Sequence, residues 1–333
     1  MDKSFVIMKK FLVVLLSIVS LISCQDSDKE KKAILSESNG KINNISIFID
    51  ENLWNGEIGD SIRKKFAAPV DGLPQEEPLF NLNQYPTKIF DGIAQKSRNI
   101  IYVQKGQKNG FNEQVNQYAK PQKVFYVLGK TNDEIIKVLE EKSAAIIKSI
   151  KASEIIENQV RLKKALVSDQ KVREKFGIGL TIGYGYKYDM VKDNFLWIRK
   201  EFSTGYNSIL VYQVPIDVIE NDKEVIENVI SMRDSIGKLN IHGVLPNTWM
   251  ITEDAYSPYI FDTTIQGKKT YETKGTWELK NDYMAGPFIN YAIKDEKNNR
   301  YLILEGFTYN PSKSKRDLVF ELESIIKSIK FLK

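Results

Sequence analysis

The amino-acid sequence predicts an α+β fold made of two sheet-plus-helix units that a long helical segment joins. At 333 residues the chain exceeds the roughly 100–200 residues of a typical domain. β-rich segments lie on both sides of a helical stretch, and the hexapeptide IIKSIK occurs twice, at 146–151 and at 325–330. We therefore predict units at 44–152 and 177–333 with a helical connector at 153–176, and we hypothesise a tandem duplication. Convergence of two Lys/Ile-rich helices is the alternative.

The first unit opens with a strand at 44–50, because its sequence NISIFID is rich in β-branched and aromatic residues. A short helix at 58–66 follows. Three prolines within residues 67–78 predict a loop, since proline breaks helices and central strands alike. Further strands are predicted at 98–105 and 122–129.

A long helix is predicted to begin at a capping box, in which Thr131 and Glu134 are spaced to satisfy backbone N–H groups of the first turn. Apolar residues then mark one helical face: Ile135, Ile136, Leu139, Ile146, Ile147 and Ile150. This pattern loses its helical phase near Ser153, which predicts a break or bend there.

The second unit returns to strands, with one helix predicted among them at 222–237. The predicted strands cover 180–188, 195–203, 207–215, 248–251, 270–279, 288–294 and 301–309. Residues 295–299 (DEKNN) predict a hairpin turn between the last two strands. A terminal helix at 312–332 carries its apolar residues on one face.

The composition excludes several classes of site. One cysteine excludes a disulfide framework and a cysteine-rich zinc site within the chain, and one histidine, His242, excludes a multi-histidine metal centre. The formal net charge of +5 comes from mixed basic and acidic residues, which is not the pattern of a nucleic-acid-binding protein. We therefore predict no cofactor, no metal and no nucleic-acid partner, and we interpret His242 as structural.

Residues 1–23 predict a signal peptide. Lys9 and Lys10 precede an apolar stretch at 11–22. As a helix this stretch would be about 18 Å long, too short for a hydrocarbon core of roughly 30 Å. A cleaved signal sequence therefore fits better than a transmembrane anchor.

The end of this segment, Leu21-Ile22-Ser23-Cys24, resembles the lipobox of bacterial lipoproteins. The resemblance implies cleavage before Cys24 and lipid attached to its sulfur, which would anchor the protein to a membrane. An ordinary signal peptide with a chance cysteine is the alternative. Polar residues at 24–43 predict a flexible tether. We expect an outer-membrane lipoprotein that faces the periplasm or the cell surface.

Candidate binding residues come from two residue types. Only eight of the 48 basic residues are arginine, so lysine is the default cation of this chain. We therefore expect arginine at positions where a planar, bidentate fork is required. Aromatic residues and arginine also dominate interface energetics. The candidates are Trp54, Arg98, Arg199, Glu201, Arg233 and Trp277. Structural ion pairs and core packing are the alternative interpretation.

An ordered series of short segments links the chain to a known family. The segments are WNGEIGD (54–60), LPQEEPLF (73–80), RNII (98–101), WIRKE (197–201), MRDS (232–235), GTWE (275–278), MAGPF (284–288), EGF (305–307) and KR (315–316). Together they resemble the DUF4837 family of Bacteroidetes lipoproteins over nearly the whole chain after the predicted signal peptide. The resemblance implies the lipoprotein address and the α+β architecture, and no reaction. Residues 247–250 (NTWM) depart from the Gly-Ser-Tyr-Met expected there.

Two functions agree with these observations. The first is a non-catalytic cell-envelope lipoprotein that binds a ligand or a partner such as an envelope protein or glycan. The alternative is an envelope hydrolase that acts through paired carboxylates on glycan. Its candidate acids are Glu76, Glu77, Glu272, Glu278, Asp282 and Glu305. Two carboxyl groups in one cleft with raised pKa values would favour the enzyme.

Overall fold

Two β-sheets of different construction organise residues 35–332, the part of the chain that the computed structural model describes, and they confirm the predicted α+β class. From Ser36 onward the chain is one compact unit. We refer to residues 36–162 as the first half and to residues 163–332 as the second half. The predicted signal peptide, Cys24 and the beginning of the tether lie outside the described residues.

The first half is built on a five-stranded sheet. Its strands are β1 (Asn44–Phe48), β2 (Asn81–Tyr85), β3 (Asn99–Lys105), β4 (Gly110–Val115) and β5 (Lys123–Gly129). The order across the sheet is β2-β1-β3-β5-β4. The pairs β1–β2, β1–β3 and β3–β5 are parallel, and β4 adds an antiparallel edge.

The second half is built on an eight-stranded antiparallel sheet, accompanied by two short ladders. The ladders pair β6 (Leu166–Val167) with β8 (Ile182–Gly183), and β7 (Ile178–Gly179) with β17 (Lys330–Phe331). The strands of the sheet are β9 (Tyr186–Lys192), β10 (Phe195–Phe202), β11 (Gly205–Pro215), β12 (Trp249–Thr252), β13 (Tyr259–Ile265), β14 (Lys268–Lys280), β15 (Ala285–Asp295) and β16 (Arg300–Tyr309). Their order is β12-β14-β15-β16-β11-β10-β9, and β13 pairs with β14.

The helices of the described residues lie mainly against the faces of the two sheets. They are α1 (Glu51–Trp54), α2 (Glu57–Phe66), α3 (Asn132–Leu162), α4 (Gln170–Phe176), α5 (Ile216–Ile219), α6 (Val225–Asn240) and α7 (Arg316–Ile326), with short 3-10 turns at Thr87–Ile89, Ala94–Lys96 and Glu296–Asn298. Between residues 35 and 332, none of the helices combines the length and the hydropathy needed to cross a membrane.

Helices α2 and α3 cover one face of the first sheet. Phe66 of α2 and Leu139 of α3 are fully buried in one apolar cluster with the strand residues Ile47, Val103 and Phe125. Burial of this kind stabilises by roughly 25 cal/mol per Å² of apolar surface.

Two helices sandwich the second sheet. On β16, Leu302 and Leu304 point to the cluster that contains residues of α7, whereas Ile303 points to the cluster that contains residues of α6. Successive side chains of a strand face opposite sides, so a strand covered on both faces is apolar throughout. Residues 301–304 of β16 (YLIL) are accordingly all buried.

The break predicted near Ser153 is wrong. Helix α3 begins at the predicted cap, where the Glu134 N–H donates to Thr131 Oγ1 at 3.2 Å, and it continues without interruption to Leu162. Its 31 residues give a length of about 46 Å. The apolar pattern fails because the next position on the buried face, four residues after Ile150, is occupied by the fully buried Glu154. A carboxylate therefore replaces the aliphatic side chain without ending the helix.

The hypothesis of a tandem duplication is also wrong. The first sheet is mainly parallel and the second is antiparallel, and their strand orders differ. The first IIKSIK copy lies inside α3, whereas the second begins in the last turn of α7 and continues into β17 at Lys330. The predicted terminal helix is correspondingly shorter. Both copies supply isoleucines to a core, which is enough to explain their similarity.

We expect Glu154→Ala to destabilise the protein by about 3–5 kcal/mol, because Arg98 would remain charged and buried without its partner. The two side chains are 0% and 2% exposed, and Arg98 Nε lies 2.6 Å from Glu154 Oε1. Glu140→Ala, on the same helix, is the matched control. Its pair with Lys65 is at the surface, where such pairs contribute about 0–1 kcal/mol. Equal losses in denaturant unfolding of the two variants would contradict this account.

Candidate functional site

The two halves meet where the proline loop (residues 67–78) reaches the beginning of α7. The Glu77 carboxylate accepts hydrogen bonds from the backbone N–H groups of Lys315 at 2.6 Å and Arg316 at 3.0 Å. A carboxylate at this end also complements the positive end of the helix dipole. The loop is thereby fixed to the second half, and its predicted irregular structure is confirmed.

The proline loop also packs against β14. Gly72 has φ +80°, and a Cβ atom at this position would lie 2.8 Å from Lys274 Cβ and 3.0 Å from the backbone nitrogen of Gly275. Both the backbone angle and the close approach therefore require glycine. Beneath the loop lies a chamber of about 40 Å³.

Paired charges surround this chamber. Lys274 Nζ lies 2.6 Å from Glu272 Oε1, and Lys327 Nζ lies 2.5 Å from Glu323 Oε1. Burial by itself raises the pKa of Glu323, but Lys327 and Lys274 outweigh it and hold the pKa below its ordinary value. The Tyr291 hydroxyl, in the core, donates to Glu323 Oε1 at 3.3 Å.

Lys151 of α3 is a partly buried charge in this region that lacks a partner. Its Nζ has no hydrogen-bond or ion-pair acceptor among residues 35–332, although its side chain is partly buried. Burial lowers the pKa of Lys151, repulsion from Lys274 lowers it further, and Glu323 and Glu272 offset only part of this shift. The free amine is therefore in an environment that would favour a bound anion.

A larger groove opens between α3 and α7. Its volume is about 500 Å³, within the range of small-molecule sites. Its apolar walls are formed by Ala144, Ile147, Ala152, Ile155 and Phe320, and its charged residues are Lys148, Lys151, Glu323 and Lys327. Lys151, Phe320 and Glu323 line both the groove and the chamber. We call the two cavities together the α3–α7 cleft.

The lysines of the groove come from both IIKSIK copies. Lys148 and Lys151 belong to the first copy, and Lys327 belongs to the second. Sequence reasoning missed these residues because lysine is the common cation of this chain. The repeated hexapeptide was the available signal, and it marks two segments that face one groove.

Arg98 and Arg233, both predicted binding candidates, are buried in different halves. Arg98 is held by Glu154, as described above. Arg233 of α6 forms a bidentate pair with Glu305 of β16, with Nε–Oε2 at 2.9 Å and Nη2–Oε1 at 2.7 Å. Its Nη1 donates to Thr252 Oγ1 at 2.5 Å, and its guanidinium carbon lies 3.4 Å from the centroid of the Phe288 ring. This pair fixes α6 to the second sheet.

The two predicted tryptophans also lie apart. Trp277 is fully buried in the core of the second half, where its Nε1 donates to the carbonyl oxygen of Thr308 at 3.3 Å. Trp54, at the end of α1, packs beside the core of the first half, and the Arg63 guanidinium lies 4.6 Å from its ring centroid.

Of the six candidates, Arg199 and Glu201 are joined by a hydrogen bond within the described residues. Arg199 Nη2 donates to Glu201 Oε1 at 2.9 Å. Arg199 Nε lies 2.6 Å from Asp189 Oδ2, and the guanidinium carbon lies 5.5 Å from the ring centroids of both Trp197 and Tyr206. These residues come from β9, β10 and β11, and none of them lines the α3–α7 cleft.

Most acidic residues of the hydrolase hypothesis have basic or backbone partners. Glu272 pairs with Lys274, Glu305 pairs with Arg233, and Glu77 caps α7. Glu278 differs, because partial burial and then repulsion from Glu253 and Asp254 raise its pKa. His242 is exposed, and its Nε2 lies 2.8 Å from the carbonyl oxygen of Lys238.

We expect Arg233→Lys to lower the free energy of unfolding by about 2–3 kcal/mol, because a lysine cannot reproduce the fork and leaves buried acceptors unpaired. Arg199→Lys is the matched control. Its pairs are partly exposed, so a loss of about 1 kcal/mol or less is expected. Thermal and denaturant melts of both variants measure the difference, and comparable losses would show that burial of the Arg233 pair has no special role.

Comparisons with known proteins divide the chain near the end of α3. The family model described as "Domain of unknown function (DUF8532)" matches residues 38–163, and the one described as "Domain of unknown function (DUF4837)" matches residues 165–328. A search of curated proteins finds no match.

Among solved structures, the chain is similar to the crystal structure of the Saccharomyces cerevisiae Ran-binding protein Mog1p. The identity is 11%, the TM-score is 0.30, and the match covers 47% of this chain and 91% of that one. A point mutant of the protein Mog1 gives 9% identity, a TM-score of 0.30, and coverage of 47% and 92%. The family model of the second half is the informative match. Over residues 165–328, therefore, the chain is similar to the DUF4837 family, whose model matches that segment.

Proposed function

We propose that the protein is a membrane-anchored cell-envelope lipoprotein without catalytic activity, and that it binds an amphiphilic anion in the α3–α7 cleft. The observation that carries the proposal is the Lys151 amine, which lines both cavities of the cleft and has no acceptor among residues 35–332. The proposal therefore combines a cellular location, inferred from the N-terminal sequence, with a binding site.

The cellular location is supported by Leu21-Ile22-Ser23-Cys24, whose order of residues is that of a lipobox. We propose that lipid on Cys24 holds the protein at the outer membrane, as the resemblance to Bacteroidetes lipoproteins implies. Acyl chains stabilise such anchoring by about 0.8 kcal/mol per buried methylene group.

The cationic side of the cleft favours an anionic group on the ligand. A partly buried ammonium group costs free energy unless an anion or hydrogen-bond acceptor compensates it. Lys148, Lys151 and Lys327 face one carboxylate, Glu323, in the groove. A ligand carboxylate beside Lys151 would supply the missing acceptor and would raise the pKa that burial lowers.

The apolar walls favour an aliphatic body. Ile147, Ile155 and Phe320 contribute apolar surface that a hydrocarbon chain would remove from water. A groove of about 500 Å³ accommodates a ligand of modest size rather than a protein domain. We therefore propose an aliphatic carboxylate of medium chain length as the ligand class.

We expect the full chain to bind decanoate in calorimetry and Lys151→Gln to weaken this binding by about tenfold or more, because a hydrogen bond to a charged group contributes about 1.5–3 kcal/mol. Lys137→Gln, an exposed position on the same helix, is the matched control and should bind as the wild type does. Octyl glucoside, which has an aliphatic chain but no charge, tests the charge requirement. Equal binding of the two amphiphiles, or equal binding by all three proteins, would contradict the proposed site.

Lipid anchoring at Cys24 is tested separately. We expect Cys24→Ser to abolish incorporation of labelled palmitate and to move the protein from the membrane fraction to the soluble fraction of cells. The wild-type protein, processed in the same cells, is the control. A mutant that still sediments with membranes, together with a wild type that takes up no palmitate, would contradict lipid anchoring and leave the cleft proposal intact.

A further inference from the structure

Exposed apolar side chains gather where α6 ends and β12 begins. Val244 and Leu245, in the connecting loop, are 96% and 57% exposed, and Leu239 in the last turn of α6 is 67% exposed. Tyr283, in the β14–β15 turn, is fully exposed. We call these four residues, together with Trp249, the apolar tip. Exposed apolar side chains grouped at one end of a fold are typical of interaction sites.

Hydrogen bonds organise the loop that carries Val244 and Leu245. The Gly243 N–H donates to the carbonyl oxygen of Thr248 at 3.3 Å, and Thr248 Oγ1 donates to the carbonyl oxygen of Leu245 at 2.6 Å. Asn281 Nδ2 donates to the carbonyl oxygen of Asn247 at 3.1 Å, which joins the loop to the turn that carries Tyr283. The aliphatic side chains are therefore presented to solvent by an ordered loop.

Basic residues flank the apolar tip. Lys238 Nζ and Lys280 Nζ lie 5.5 and 5.3 Å from the ring centroid of Trp249. Lys192 Nζ donates to Asn240 Oδ1, in the last turn of α6, at 2.7 Å. The acidic residue of the turn, Asp282, accepts a hydrogen bond from the backbone N–H of Tyr283. Among these flanking residues, three lysines outnumber the one aspartate.

We propose that the apolar tip inserts into the interface of a membrane that contains anionic lipids. Aliphatic side chains would enter the acyl boundary, tryptophan and tyrosine would lie at the level of the headgroups, and the lysines would pair with lipid phosphates. Each lysine near an anionic surface adds electrostatic attraction to the lipid headgroups. This surface is distinct from the α3–α7 cleft, and the proposal does not depend on the ligand proposed there.

The test measures contact of the tip with lipid in a way that is independent of any N-terminal anchor. The full chain is mixed with vesicles of brominated phosphatidylcholine, with or without phosphatidylglycerol, and tryptophan emission is recorded. We expect quenching that increases with phosphatidylglycerol and that is lost in Trp249→Phe. Val244→Asp combined with Leu245→Asp should reduce the quenching by about threefold or more, since it places charge among the inserted residues.

Ile156→Asp is the matched control, because Ile156 is 62% exposed on α3 and lies outside the tip. Thermal melts of all variants verify that they fold. Quenching that is absent in the wild type, or that is equal in the double variant and the Ile156 control, overturns the proposal. Self-association without vesicles that the double variant abolishes would also overturn it, because the tip would then bind a second copy of the chain.

Discussion

The described structure depends on one buried carboxylate that accepts four hydrogen bonds. Glu154 accepts hydrogen bonds from Arg98 Nε and Nη2, from Asn99 Nδ2 and from the backbone N–H of Asn43, at 2.6 to 3.1 Å. These donors precede or begin β1 and β3, so the bonds fix the C-terminal part of α3 to one end of the first sheet. The Asn43 side chain continues the network to Asp317 at the beginning of α7, at 3.0 Å. A buried carboxylate with four donors is stable because each lone pair that leaves water finds a new partner.

The position of the cleft follows from this constraint. Lys151 lies three residues before Glu154, which in a helix of 3.6 residues per turn places it on an adjacent face, toward α7. The proline loop, bound through Glu77 to the same end of α7, covers the chamber from the other side. Fixing α3 and α7 to each other therefore creates an apolar groove with an unpaired amine. The apolar tip is built differently, by a local loop network in the second half, and can serve a separate contact.

Local patterns predicted the elements well and the long-range arrangement poorly. The capping box at Thr131 and the apolar stripe of α3 were sufficient to place that helix, and the turn residues at 295–299 helped to place β15 and β16 within a few residues. Strand direction and order depend on partners distant in sequence, so the parallel first sheet was not predicted. Glu154 led to the wrong prediction of a helix break, because a buried carboxylate interrupts an apolar pattern. Its hydrogen-bond partners, which are distant in sequence, explain why a carboxylate is buried there. The buried state of Arg98, Arg233 and Trp277 likewise depends on residues 31 to 72 positions away.

The central claim is that the α3–α7 cleft contains a partly desolvated lysine amine that binds an anion. Competitive acetylation of the full chain across a pH series, read by mass spectrometry at each lysine, measures this property directly. We expect Lys151 to titrate below the ordinary lysine pKa, since burial and Lys274 lower its pKa, and to shift upward when decanoate is present. Titration of Lys151 near the ordinary lysine value of about 10.4, unchanged by decanoate, would contradict the account.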